Sequence, residues 1–169
     1  LFFVKMGLQL GAHLHQHSDT GAGNQGARQA QGGMVFAGQR DKAGIAASCT
    51  VNAMLCREKP QIAQAVRDRG WEIVAHNHIQ TESLVTYYQD PDKEREVIAR
   101  VLDTIAETTG RRPRGWLSSS LRCTPETPEI LTELGLIFHN DFMNDDQPYL
   151  VKTRSGAPMV SISYTSEVN

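Results

Sequence analysis

Strand-like and helix-like segments alternate along most of this sequence, and that alternation limits the folds available to the chain. Residues 60–70 place their apolar side chains on one helical face, and residues 71–75 form a short apolar run typical of a buried strand. A longer helical pattern at residues 91–110 and a strand-like run at residues 115–117 repeat this unit. Strands that alternate with helices are typical of parallel sheets with right-handed crossovers. The pattern therefore predicts an α/β fold.

The remaining segments continue the same order. We predict a strand at residues 45–51, a helix at residues 125–134, and strands at residues 136–139 and 159–164. Because no helical pattern follows the last strand, a parallel sheet would have an uncovered edge there. We therefore expect an incomplete barrel.

Residues 1–40 lack such a pattern, and we separate them from a domain that spans residues 41–169. His13, His15 and His17 alternate, which would place three imidazoles on one face of a strand and allow metal binding. A solvated loop, or residues outside the native reading frame, would explain this glycine- and glutamine-rich segment equally simply. With 169 residues and 40% hydrophobic residues, the chain can bury one core.

Composition argues against several partners. The formal net charge of -2 does not favour nucleic-acid binding, and no apolar segment is long enough to cross a membrane. The apolar first residues lack the basic region of a signal peptide. Three cysteines without a Cys-x-x-Cys pair indicate neither a disulfide framework nor a cysteine zinc cluster, so we expect a cytoplasmic protein.

Polar side chains follow the predicted strands, at the edge where parallel α/β folds place their active sites. His76, His78 and Gln80 come directly after residues 71–75. Alternate residues of an extended segment point the same way, so these three side chains would face one cleft. Acidic residues follow the strand at residues 136–139, and they are Asp141, Asp145 and Asp146. Simpler interpretations are a hydrogen-bonded loop histidine and aspartates that cap a helix or face solvent.

Three motifs together resemble the polysaccharide deacetylase family, which has NodB homology and includes carbohydrate esterase 4 and an allantoinase-like branch. The motifs are KPQIAQAVRDRGWEIVAHN at residues 59–77, TGRRPRGW at residues 109–116 and DDQPY at residues 145–149. The resemblance covers residues 44–169. It implies an irregular (β/α)7 barrel that hydrolyses a carbon-nitrogen bond, usually the N-acetyl amide of a sugar.

In metal-dependent members of the family, an aspartate and two histidines four residues apart hold a divalent ion, commonly zinc. His76 matches the first histidine, whereas Gln80 replaces the second, and His78 is the nearest substitute. The nearest candidate for the aspartate is Asp19, in a context that differs from the family motif. Leu117 stands where the family has an arginine.

These observations lead to one set of predicted site residues. We predict catalytic roles for His76, Asp145 and Asp146, substrate contacts for Trp116, Gln80 and Asp141, and a possible zinc site at His76 and His78. Trp116 is also a candidate for the core or the pocket wall.

The predicted function is hydrolysis of a carbon-nitrogen bond, either removal of an N-acetyl group from a carbohydrate or opening of a small amide. Two alternatives remain. The chain is an inactive relative that binds such a ligand, or it completes its barrel with another chain, for example as a homo-oligomer.

Overall fold

The computed structural model describes residues 47–164, which form helices packed on a six-stranded sheet. The order of strands in the sheet is β1-β2-β3-β4-β6-β5. Neighbouring strands are parallel except for β5 and β6, which are antiparallel. The strands are β1 (Ser48–Val51), β2 (Glu72–Ala75), β3 (Gly115–Trp116), β4 (Phe138–His139), β5 (Tyr149–Val151) and β6 (Met159–Ser161). The helices are α1 (Ala53–Glu58), α2 (Pro60–Asp68), α3 (Pro91–Thr109) and α4 (Thr127–Glu133).

The α/β class is confirmed, and the open sheet is consistent with the expected incomplete barrel. Over residues 47–164 the sheet is open, because the strands at its two ends, β1 and β5, do not pair with each other. The predicted boundary near residue 40 lies outside the described residues, as do His13, His15, His17 and Asp19. Across that described range, no helix combines the length and the apolar character needed to cross a bilayer.

The helices cover one face of the sheet. Val51, Ala75 and Trp116 are in register on neighbouring strands, so their side chains point to the same face. All three belong to the hydrophobic core that the apolar side of α3 completes. Thr50 and Val74 alternate with them and point to the opposite face. That opposite face, which a closed barrel would enclose, carries the candidate site.

Helix α3 forms the main support of this sheet. Asp90 begins it as a side-chain cap, because its Oδ1 accepts a hydrogen bond of 3.0 Å from the backbone nitrogen of Lys93. Pro91 occupies the first turn, and Gly110 ends the helix with a φ of 70°, which glycine adopts without steric cost. The core face consists of five almost fully buried side chains, Val97, Ile98, Val101, Leu102 and Ile105. The predicted helix is therefore confirmed, together with both of its ends.

Among the α-helices and strands, two elements were not predicted. Helix α1 has only six residues, too few for a helical period to be visible, although Ala53, Leu55 and Cys56 are buried. Strand β5 lies at the edge of the sheet, and its central residue, Leu150, is 71% exposed. Neither element carries the apolar alternation by which a strand or helix is found in sequence.

Candidate active site

A pocket of about 210 Å³ opens at the carboxyl edge of the parallel strands. It lies on the sheet face away from the helices, where Thr50 and the residues after β2 and β3 converge. Its walls include Thr50, His76, Leu117, Ser118, Ser120 and Tyr164. The pocket lies at the strand ends, where the sequence predicted an active site.

His76 is fixed by hydrogen bonds at both of its ring nitrogens. Nδ1 lies 2.6 Å from the backbone oxygen of Leu117, and Nε2 lies 2.7 Å from Oε1 of Gln80. The backbone of His76 is held as well, since its nitrogen donates to Val51 O at 3.0 Å and its oxygen accepts from Asn52 Nδ2. Burial lowers the pKa of His76, although the hydrogen bonds to Leu117 and Gln80 act in the opposite direction. The imidazole is therefore neutral at physiological pH.

Asn77 joins the loops that form the pocket, a role that sequence reasoning missed. Its Oδ1 accepts a hydrogen bond of 3.0 Å from Ser119 N, and its Nδ2 donates to Glu82 O at 3.1 Å. The residue is fully buried and has a φ of 51°, a left-handed conformation that asparagine tolerates better than most residues. An asparagine beside a strand-end histidine was the only signal in the sequence.

Asp141 and Trp116 both act on Ser118, which lines the pocket. Asp141 accepts from Ser118 N at 2.6 Å and from Ser118 Oγ at 2.8 Å, and Trp116 Nε1 donates to the same Oγ at 2.9 Å. Trp116 has no exposed surface, because its ring belongs to the helix-facing core. The structure gives Trp116 a supporting hydrogen bond from behind the pocket wall, and its substrate contact stays a prediction. Asp141 is buried too and holds Ser118 in place.

Asp145 and Asp146 are exposed in the loop between β4 and β5, and neither lines the pocket. Asp145 Oδ1 accepts from the backbone nitrogen of Gln147 at 3.1 Å, which closes a local turn. This hydrogen bond is the main reason that the pKa of Asp145 is lowered. The structure thus gives Asp145 a turn-forming role and brings neither aspartate to the pocket wall.

The donor set within residues 47–164 does not fit a three-ligand zinc site. This part of the chain contains no group of three His, Cys, Asp or Glu residues that could hold a metal ion. Nε2 of His76 faces a carboxamide, and the backbone nitrogen of His78 donates to Glu82 Oε2 at 3.1 Å. Gln80 itself does not line the pocket, since its carboxamide is directed at His76. The zinc prediction at His76 and His78 therefore finds no third ligand among the described residues.

His139, on β4, is a second buried histidine that sequence reasoning passed over. Its Nδ1 accepts a hydrogen bond of 3.3 Å from Asp141 N, and its ring meets Phe142 edge-on with centroids 4.6 Å apart. Burial lowers its pKa to about 4. His139 is in register with Trp116, on the helix-facing side, so it supports the loop of Asp141 from outside the pocket.

No protein-family model and no curated protein matches the sequence. Solved structures do match. A Mycobacterium smegmatis protein described as a polysaccharide deacetylase is 25% identical, with a TM-score of 0.74 over 83% of this chain and 49% of that one. The chain has the polysaccharide deacetylase fold. It is also similar to Puue allantoinase, with 24% identity and a TM-score of 0.70 over 98% of this chain and 54% of the other.

A third solved structure with the deacetylase fold also matches this chain. It comes from Pseudomonas aeruginosa PAO1, is described as a polysaccharide deacetylase, and is 22% identical with a TM-score of 0.70. It is matched over 98% of this chain and 54% of its own length. The chain thus spans about half the length of the structures that it matches. The predicted resemblance to the polysaccharide deacetylases is confirmed at the level of the fold.

Proposed function

We propose that this chain carries the active site of a hydrolase that cleaves a carbon-nitrogen bond in an N-acetylated carbohydrate or a small amide. The observation that carries the proposal is the position of His76, a neutral imidazole in a pocket at the carboxyl edge of a deacetylase fold. The matched structures include proteins described as polysaccharide deacetylases and an allantoinase, which supports this class of reaction.

The pocket offers groups for two parts of such a reaction. Neutral His76 is suited to accept a proton from a water molecule that attacks the amide carbon. Ser120 lines the same pocket and carries a hydroxyl group that can donate to the amide oxygen as negative charge develops there. Ser118 donates its single hydroxyl proton to Asp141, so it fixes the shape of the pocket wall and has no proton left for the substrate. Only the motif resemblance supports Asp145 and Asp146 as catalytic residues.

The proposal is tested by assaying the purified chain for acetate release from N-acetyl sugars and for ring opening of cyclic amides. Loss of a general base lowers rates by about 10² to 10⁴, so we expect a decrease of that size for His76→Asn. His78→Asn is the matched comparison, because His78 does not line the pocket. A general base at His76 alone leaves the activity of this variant close to wild type, whereas a zinc site shared by His76 and His78 would lower it as well. Zinc content is measured in all three proteins. Folded wild-type protein that turns over none of these substrates would overturn the hydrolase assignment.

A binding protein without activity is the second candidate. The replacement of the family's second histidine by Gln80 favours it, since a carboxamide is a poorer zinc ligand than an imidazole. Saturable binding of an N-acetyl sugar to wild-type protein, lost in His76→Asn and unaccompanied by turnover, would establish this function.

We also propose a cytoplasmic location and self-association. Three free cysteines support the location, because free thiols persist in reducing compartments. The exposed edge strand β5, with Leu150 71% exposed, supports pairing between copies of the chain. Light scattering during size-exclusion chromatography tests the second point, and a monomer at all concentrations would contradict it.

A further inference from the structure

The two hydrogen bonds of His76 place two oxygen atoms against its ring. Leu117 O lies 2.6 Å from Nδ1, and Gln80 Oε1 lies 2.7 Å from Nε2. A backbone carbonyl can only accept a hydrogen bond, so Nδ1 of His76 must carry a proton. A neutral imidazole has one N–H group, which leaves Nε2 with a lone pair facing Gln80.

The partner of that lone pair must be a donor. A carboxamide has an oxygen on one side and an NH2 group on the other, and a half-turn exchanges their positions at the same distance. With the NH2 group of Gln80 turned toward His76, both ring nitrogens have complementary partners. The contact at 2.7 Å is then a hydrogen bond from Gln80 Nε2 to His76 Nε2.

An imidazolium that donates to both oxygens is the competing arrangement. It would place a positive charge in a site that is 5% exposed, next to a carbonyl and a carboxamide and without a carboxylate hydrogen-bonded to the ring. A charge buried without an opposite charge is costly. The neutral ring, in which both nitrogens have complementary partners, is therefore the stable form.

We propose that Gln80 is a positioning residue that donates its carboxamide NH2 to His76 Nε2 and so caps the lone pair of an Nδ1–H tautomer. A water, hydroxyl or amide N–H of a ligand must then replace Gln80 as the donor before His76 can accept a proton. The tautomer is independent of the hydrolase assignment, whereas its catalytic consequence rests on the proposed function. Gln80 thus acts on the pocket through His76.

Nitrogen-15 NMR of the imidazole side chains in the full chain tests the tautomer without any substrate. His76 is assigned by comparison with His76→Asn. In wild-type protein at neutral pH we expect a protonated Nδ1 and an unprotonated Nε2 that receives a hydrogen bond. In Gln80→Met, which keeps the length of the side chain but has no donor, we expect the same tautomer with the Nε2 resonance moved toward that of a free lone pair.

Two results would overturn the proposal, namely a protonated Nε2 in wild-type protein or an Nε2 resonance that Gln80→Met leaves unchanged.

A second readout is ethoxyformylation of His76, followed by peptide mass spectrometry with the other histidine peptides as internal reference. Loss of one hydrogen bond should raise this rate roughly tenfold in Gln80→Met. An equal rate would also contradict the proposal. If wild-type protein shows the capped tautomer but hydrolyses no amide, the proposed function fails while the role of Gln80 stands.

Discussion

Glu94 is the most unusual residue of the fold, because it is a carboxylate with no exposed surface. It lies on α3 and accepts hydrogen bonds from Thr124 Oγ1 at 2.7 Å and from Thr127 Oγ1. Burial raises the pKa of Glu94, with a smaller contribution from Glu126, and the threonine hydroxyls oppose the shift. Glu94 therefore links α3 to the start of α4 at the cost of burying an acidic group.

We expect Glu94→Gln to change how stability depends on pH. The pKa of Glu94 is higher in the folded state, so its protonated form contributes stability that is complete below the unfolded pKa. That contribution is lost as pH rises through the folded pKa. The free energy of unfolding of wild-type protein, relative to Glu94→Gln, should therefore fall as pH increases from acidic to neutral. Urea denaturation across this range provides the measurement.

Glu96→Gln is the control for this prediction. Glu96 lies on the same helix but is exposed, and its pKa is lowered, mainly by a hydrogen bond from Lys93. The free energy of unfolding of wild-type protein, relative to Glu96→Gln, should therefore rise as pH increases from acidic to neutral. A wild-type advantage over Glu94→Gln that grows toward neutral pH would contradict the account of Glu94.

At the scale of elements, α3 shows what local sequence can specify. Its first residue, its last residue and its buried face follow from the residues of the helix and from Asp90 and Gly110, which flank it. By contrast, β3 and β4 have two residues each, so their places in the sheet depend on neighbouring strands. Ser120 and Leu121 adopt φ values of 58° and 57°, which no pattern in the sequence indicated. The pocket wall that they form arises from tertiary contacts.

Removing the cap of α3 should weaken the whole fold. Asp90→Ala deletes the acceptor for Lys93 N, and such a substitution costs about 1 kcal/mol in the free energy of unfolding. Asp90→Asn retains a side-chain oxygen and is the matched control, with an expected loss well below that of alanine. Urea denaturation measures both. Equal stability of the alanine variant and wild type would show that the cap contributes nothing.

For the molecule as a whole, the reactivity of three cysteine thiols on different elements can be used to measure unfolding. Cys49 lies on β1, Cys56 on α1 and Cys123 after β3. Burial raises the pKa of Cys49 and Cys123 to about 12 and that of Cys56 to about 11, from an ordinary value of 9.0. Because the thiolate is the reactive form, all three should be unreactive in the folded protein.

We therefore expect thiol labelling at mildly alkaline pH to be slower in native protein than in urea-unfolded protein by roughly a hundredfold or more. Absorbance of the released thionitrobenzoate measures this rate. Cys123 is only partly buried, so Cys123→Ser is the control that removes the thiol most open to reagent. A thiol that reacts at the unfolded rate in native protein would show that the element carrying it opens without global unfolding.

The sequence predicted the whole molecule better than it predicted the site. The order of helices and strands and three separated motifs were sufficient for the α/β class and the deacetylase resemblance. His76 could be selected as a candidate because a polar residue after an apolar strand is visible in the sequence. Its partner at Nδ1 is a carbonyl 41 residues later, and a carbonyl has no signature in the residue type. Which face of the sheet Trp116 occupies could not be read from the sequence, because it depends on the register of Trp116 with Ala75.

Because Leu117 orients His76 through its backbone oxygen, this contact does not depend on which residue type occupies position 117. The main chain at this position is held by the sheet, since Leu117 N donates to Ala75 O at 2.9 Å. The side chain of Leu117 lines the pocket, whereas its oxygen orients His76. Substitutions of Leu117 can therefore change the shape of the pocket, while the backbone oxygen at this position still orients the imidazole of His76. Ligand preference can therefore change at this residue while the orientation of His76 stays the same.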